Sequence, residues 1–536
     1  MHNDHSPIIS EDESQNEEKR YNYLKFSNIG LFLQYFYIGI VYMLTINLTY
    51  EFFRSYLGIN GEMCNLASVA ISAPWTFKLF YGIVNDCIPI LGYRRKSYML
   101  LGWSGCLVVG IIIAMTPFPS SRYIYEKINS EIDECSSTNM NQTKLQGANS
   151  DFAYEKIALH YMALLLLYNV FVVMADVAMD GLMVQYARGE RLHERGRAQT
   201  YIYTTRHVGF IFAALIKAFG LNWYMYAGPW CDGLQMSTVL LMLIIVPVLA
   251  IPTVAFMTTE IKCTKKEDHI SHVFGVTWNL MTSIAVQQIV FFGMVAHFLQ
   301  SLVSPADIMI MSKWVNASSM VYNMLGTIVG DIMFIIGTII FATYLLNYNW
   351  RITYGVTQVV ISSLGLAATL IVTFDIIRNQ YFYLSDSVAA SIFAGVNYVC
   401  TLLLIVELAE PKVEGILYSL ISTTNNIGLN FGKVAVNLIV LPFGVSSETR
   451  FVRDNNKDRI IVASQAILIT SLQLLVLFFL PLLPPNKAQT RELKLTKGFS
   501  SNRGRILVFS TIIMFISCVL LSFTWPYISP YLHSIS

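Results

Sequence analysis

The chain has 536 residues, of which 54% are hydrophobic and only 13% charged, with a formal net charge of +2 and a mean hydropathy of +0.52. Soluble domains carry about 25% charged residues, so the composition is that of a membrane protein and not of a soluble enzyme. Eight cysteines fall in no C-x-x-C pair and no zinc-like histidine spacing, so neither a metal site nor a redox motif is indicated, and no nucleic-acid partner is expected.

Residues 1–26 are polar and acidic, unlike a secretory signal or an arginine-rich transit peptide, and read as a disordered cytosolic tail. Twelve apolar runs follow, each about 20 residues or longer and able to cross a bilayer. They cover 28–50, 63–85, 97–117, 157–185, 199–221, 236–258, 276–303, 319–346, 352–374, 386–408, 413–440 and 460–482. A polar loop at 259–275 divides them into two six-helix halves, 27–258 and 276–482. A basic linker at 483–504 leads to an extra segment and tail, 505–536, whose apolar run 505–525 is expected to span as a thirteenth helix.

The second run ends in Gly82-x-x-x-Asp86, followed by Gly92-Tyr93-Arg94-Arg95-Lys96, with Lys78 inside the apolar stretch. A glycine there permits close helix contact, the carboxylate can pair with arginine or a neighbouring helix end, and the basic cluster marks a cytoplasmic loop. Basic residues recur in the fourth and sixth loops and after run 12, which places the even loops and the N-terminus in the cytosol. The outer loop 118–156 carries the sequon at Asn141, and a second at Asn316 also falls outside, so glycosylation is expected at both. Cys135 and Cys231 share that side, which makes an external disulfide feasible.

Charges within the runs are costly and mark function. Asp176 and Asp180 lie four apart, on one face of the fourth helix, and Arg206 and His207 lie in the fifth. Asp176 and Arg206 both sit roughly 12 Å from the inner boundary, which implies a buried ion pair, although Asp180 is an alternative partner. The pair is either a static bridge fixing helix packing or a bridge broken when its carboxylate is protonated. His207 is a candidate proton relay. Asp331, in the middle of the eighth run with no partner in its own helix, is the best single candidate for proton coupling. Asn425 is a candidate lining residue, and Lys217 and Lys433 read as lysines snorkelling to the interface. The pattern T-T-x-x-[V/I]-G occurs at Thr204–Gly209 and again at Thr423–Gly428, in the fifth helix of each half.

The 2–3 loop signature, with ADVAMDGLMVQYARGE (175–190) and ELAEPKVEGILYSLISTTNNIG (407–428), resembles the folate–biopterin transporter family of the major facilitator superfamily, from the first run to the twelfth. Leu79 stands where a proline usually follows the lysine, and Gln185 where an acidic residue is common. The resemblance implies an all-α polytopic fold of twelve transmembrane helices. It also implies alternating-access transport of a folate or pterin-like solute and a coupling set of Lys78, Asp176 and Asp180. Proton symport, without a bound cofactor, is the expected driving force, and a monomer in the plasma membrane the expected state. Lys78, Arg206 and Lys433 would then supply positive charge to a folate's carboxylates. A carrier of S-adenosylmethionine is the alternative, and a non-transporting receptor a further one. Asp176-x-x-x-Asp180 also matches one metal motif of membrane prenyltransferases, but no second acid-rich motif accompanies it, so no enzyme is expected.

Overall fold

The computed structural model describes residues 26–535 except 48, 60, 119–150, 192, 223–229, 261, 263–269, 319–320, 410–412, 445–447 and 497. The acidic tail, Asn141 and Cys135 lie outside the described residues. Eleven described helices are long and apolar enough to cross a membrane. They are α1 (Ile29–Arg54), α2 (Ala67–Cys87), α3 (Lys96–Met115), α4 (Tyr154–Arg188), α6 (Met236–Met257), α7 (Ile284–Trp314), α8 (Tyr322–Leu345), α9 (Trp350–Thr373), α10 (Gln380–Leu408), α11 (Glu414–Phe443) and α12 (Asn456–Leu482). The remaining run, 199–221, also folds as a helix, α5 (Arg197–Leu215), which a wider π turn prolongs over Ile216–Gly220. Arg206, His207 and Lys217 lower its hydropathy and keep it out of that apolar set.

The seventh run departs from expectation. Ser283 is extended, and its neighbours bridge to the basic linker: Ile284 N donates to Gly498 O at 3.2 Å and Ser500 N to Thr282 O at 2.8 Å. Residues expected as one span from 276 therefore split into a separate helix, Ile270–Thr282, and α7. The extra C-terminal segment forms α13 (Ser501–Ile535), which packs against α2 and α11, with the Phe77 and Phe515 rings 5.3 Å apart.

Helix pairing in the first half repeats six helices later. Contacts of α1 with α5, α3 with α4 and α3 with α6 recur as α7 with α11, α9 with α10 and α9 with α12. The seam between the halves follows the same symmetry, α2 meeting α11 and α8 meeting α5. The sequence echo has a packing role. A Cβ at Gly209 would lie 3.1 Å from Gly39 Cα of α1, and one at Gly428 would lie 3.2 Å from the Met294 carbonyl carbon of α7. Each glycine lets the fifth helix of its half approach the first.

Candidate functional site

Pro74 removes a backbone donor within α2, and Ala73–Phe77 tightens into a 3-10 turn before the helix resumes at Lys78. That turn carries Trp75 and Lys78 inward. Lys78 Nζ lies 2.5 Å from Asp176 Oδ2 and 3.0 Å from Asp180 Oδ2, bridging two carboxylates one turn apart on α4. Arg206 Nη1 reaches Asp176 Oδ1 at 3.3 Å, which identifies Asp176 as its partner. Tyr35 and Tyr203 donate to Asp180 Oδ1 at 2.6 and 3.1 Å. Two cations thus balance two anions, all buried, and the remaining lone pairs meet hydroxyls. The Trp75 ring lies 5.0 Å from Lys78 Nζ and 5.3 Å from Arg206 Cζ, covering both cations. All four charges belong to α2, α4 and α5, within one half.

His207 Nδ1 and Asp331 Oδ1 are 3.0 Å apart, joining α5 to α8. Asp331 thus finds in the other half the partner its own helix lacks. Phe334, one turn further along α8, stacks on the His207 ring with centroids 4.0 Å apart. The echo motifs continue this seam in register. Thr204 and Thr338 hydroxyls meet at 3.0 Å, while Leu79 N donates to Thr423 Oγ1 at 3.0 Å. His207 reaches α8, and its counterpart Asn426 donates to Trp75 O at 3.0 Å on α2. A proline at 79 would have no N–H for Thr423, so leucine adds a bond between the halves. Asn425 does not join this group; its Oδ1 lies against Gly293 of α7.

The 2–3 loop forms a latch at one end of the bundle. Ile90 and Tyr93 exchange two hydrogen bonds of 3.0 Å around Leu91 and Gly92, both left-handed with φ of 56° and 82°. The turn delivers Arg95 to Asp86, with Glu414 of α11 at 3.9 Å. Asp86 Oδ2 also accepts from Ile416 N at 2.7 Å, and Arg188 of α4 pairs with Glu414 at 3.1 Å. Gly82 is required where α2 crosses α11, since a Cβ there would meet Gly415 O at 2.8 Å. Arg94, Arg95 and Lys96 give their backbone N–H groups to Glu260, at 2.9, 3.0 and 2.8 Å, so a carboxylate caps α3.

Lys78 and Arg206, the cations expected to meet a substrate carboxylate, each already face Asp176. Lys217, read as a snorkelling residue, pairs with Glu51 at 2.6 Å. Four partnerships escaped the sequence reading: Lys78 with both aspartates, His207 with Asp331, Arg188 with Glu414, and Lys217 with Glu51. The four-residue spacing of the aspartates was the available signal for the first. Asn316 is exposed, at the end of the bundle opposite the latch, where its φ of 49° suits asparagine. Cys231 is disulfide-bonded, while Cys64, Cys87, Cys106 and Cys400 take no part in a disulfide. Among the described residues no cluster of histidine, cysteine or acidic groups could hold a metal.

Outside the spans, burial pushes the Lys487 ammonium down to about 8, with Glu407 and Glu190 acting against the shift. Hydrogen bonds from Arg378 and Arg459 hold Asp454 below the usual carboxylate range.

The sequence profile of the BT1 family matches residues 39–128 and 152–497. The chain is 22% identical over 452 residues to the folate-biopterin transporter of Synechocystis, covering 82% of this chain and 78% of that protein. It is 28% identical over 107 residues to folate transporter 1 of Plasmodium falciparum, 20% of each chain. Among solved structures, a D-xylose–proton symporter superposes with a TM-score of 0.53 at 11% identity, over 84% of this chain and 97% of that one. A bacterial homologue of the iron transporter ferroportin, in an outward-facing state, gives 0.52 at 11% identity, over 84% and 98%. The fold is therefore that of the major facilitator superfamily.

Proposed function

The chain belongs to the BT1 family of folate–biopterin transporters, and on that premise we propose that it moves a folate or pterin-type solute inward by alternating access, driven by proton symport. The His207–Asp331 contact across the seam carries the coupling part of this reading. When the imidazole is protonated the contact is a salt bridge between the halves, and when it is neutral a single hydrogen bond remains. Proton uptake and release there would change how firmly α5 holds α8, which is the differential interaction that a conformational equilibrium needs. The Lys78–Asp176–Asp180–Arg206 cluster joins helices of one half only, so rocking of the halves carries it along intact. We assign it the static role of organising α2, α4 and α5.

The basic loops support a cytosolic latch. With Asp86, Arg95, Arg188 and Glu414 engaged, α2 and α4 are tied to α11 at this end, which supports reading the latch as the closed cytosolic side of the carrier. We place the protein in the plasma membrane, and localisation of a tagged chain checks that point.

The test is uptake of labelled folic acid, biopterin and S-adenosylmethionine by null cells expressing the chain, at about pH 5.5 and about pH 7.5, either side of histidine's ordinary value. Saturable, acid-stimulated uptake of folate or pterin supports the proposal. Uptake of the sulfonium compound alone would retain the coupling and replace the substrate. Uptake indifferent to a proton gradient would remove symport.

A further inference from the structure

Two chambers inside the second half meet at His297 and Gln300 of α7. One, of about 270 Å³, has aromatic walls from Phe334, Tyr354 and Tyr398 and amides from Gln358 and Asn397. The other, of about 260 Å³, is lined by Leu429 and Lys433 of α11. We propose that the first chamber takes the fused ring of a pterin and that Lys433, in the second, takes the carboxylate that distinguishes a folate from a simple pterin. The inference rests on the transport function proposed above.

The first chamber offers flat aromatic surfaces and polar groups fixed by one another. Gln300 Nε2 donates to Tyr354 OH at 2.7 Å and to Gln358 Oε1 at 3.0 Å, which orients its own Oε1 as an acceptor. His297 donates Nδ1–H to Gly293 O at 2.8 Å, since a carbonyl only accepts, and Nε2 is left as the second polar group. The amino group and ring N–H on one edge of a pterin are donors that such acceptors match, and its faces suit the rings. Phe334 is shared between this chamber and the His207 stack, so an occupant of the chamber touches the same side chain as the proton pair.

The carboxylate assignment follows from elimination among the interior cations that the sequence analysis named, Lys78, Arg206, Lys217 and Lys433. Lys78 and Arg206 face Asp176, and Lys217 faces Glu51. Among the described residues no carboxylate pairs with Lys433, and its side chain is exposed where the second chamber lies. An ammonium beside an amide-lined aromatic chamber is a complement to an anionic tail.

Lys433→Met, Lys433→Arg and Gln300→Leu would be compared with wild type for half-saturation by folic acid and by biopterin, which lacks the carboxylate. The expected result is a rise of about tenfold or more for folic acid in Lys433→Met, with biopterin within about twofold of wild type. Lys433→Arg should recover folic acid, and Gln300→Leu should weaken both solutes. Unchanged biopterin uptake also reports that the Lys433 variants are folded and at the membrane. Equal effects of Lys433→Met on both solutes, or none on either, overturn the inference and leave the transport function standing. A wild type that carries neither solute overturns both.

Discussion

His207 on α5 and Asp331 on α8 meet at 3.0 Å across the seam between halves, whereas Lys78 on α2 and Asp176 on α4 meet at 2.5 Å inside one half. Under the proposed alternating access, the first contact would be remade in each cycle and the second could stay untouched. This difference in connectivity, more than depth or burial, is why the first pair is proposed for coupling and the second for scaffolding.

Asp331→Asn keeps a hydrogen-bonding group but abolishes the charge that faces His207. Net uptake driven by a proton gradient should fall about tenfold or more, while exchange of labelled for unlabelled solute, which needs no net proton movement, should persist. Gradient-driven uptake at the wild-type rate would rule out the pair as the coupling site.

Lys78→Met leaves Asp176 with only Arg206 and Asp180 with no cation, both fully buried. Breaking a buried pair in this way costs about 3–5 kcal/mol, so the melting temperature in detergent should drop sharply. Adding Asp180→Asn, which removes the stranded charge, should recover part of the loss. Equal melting of single and double variants would mean that the two residues are not energetically coupled.

How far these contacts were legible beforehand depends on what kind of information each required. Charge inside an apolar run is visible in one dimension, so Lys78, Asp176, Asp180, Arg206, His207 and Asp331 all stood out. Partner choice is three-dimensional. Matching depth of Asp176 and Arg206 was legible because consecutive antiparallel helices need only the rise per residue, whereas the choice between Asp176 and Asp180 was not. Lys78, 98 residues before Asp176, and Asp331, 124 residues after His207, meet their partners through helix rotation and the seam between halves. The break at Ser283 was invisible for a related reason. No proline or glycine marks it, and the bridge to the linker at Gly498–Ser500 is a tertiary contact.

Lys487 provides a pH test outside the membrane. Its folded-state value, lowered to about 8, lies below the ordinary lysine value of about 10.4, so between those limits the unfolded chain binds more protons. Stability from this group therefore rises as pH increases from about 8 toward about 10.4, and is at its minimum below about 8. Lys487→Met should flatten the wild-type rise in melting temperature between pH 8 and 10. An unchanged slope would show that Lys487 titrates alike in both states.

The latch can be read through a native thiol. Cys87 ends α2 beside Asp86 and packs with Leu280, Val413 and Ile416, only 7% exposed, whereas Cys106 is buried within α3. Asp86→Asn removes the negative charge that holds Arg95 and weakens the bond from Ile416 N. A charge-assisted bond of this kind shifts a two-state equilibrium by roughly tenfold. Maleimide labelling of Cys87, followed by mass spectrometry, should accelerate by about that factor, with Cys106 unchanged as the internal control. If both cysteines accelerate together, the substitution has loosened the whole first half and the latch is not a discrete element. If neither does, the α2–α11 crossing at Gly82 and Gly415 holds this end closed without the charges, and the latch is packing alone.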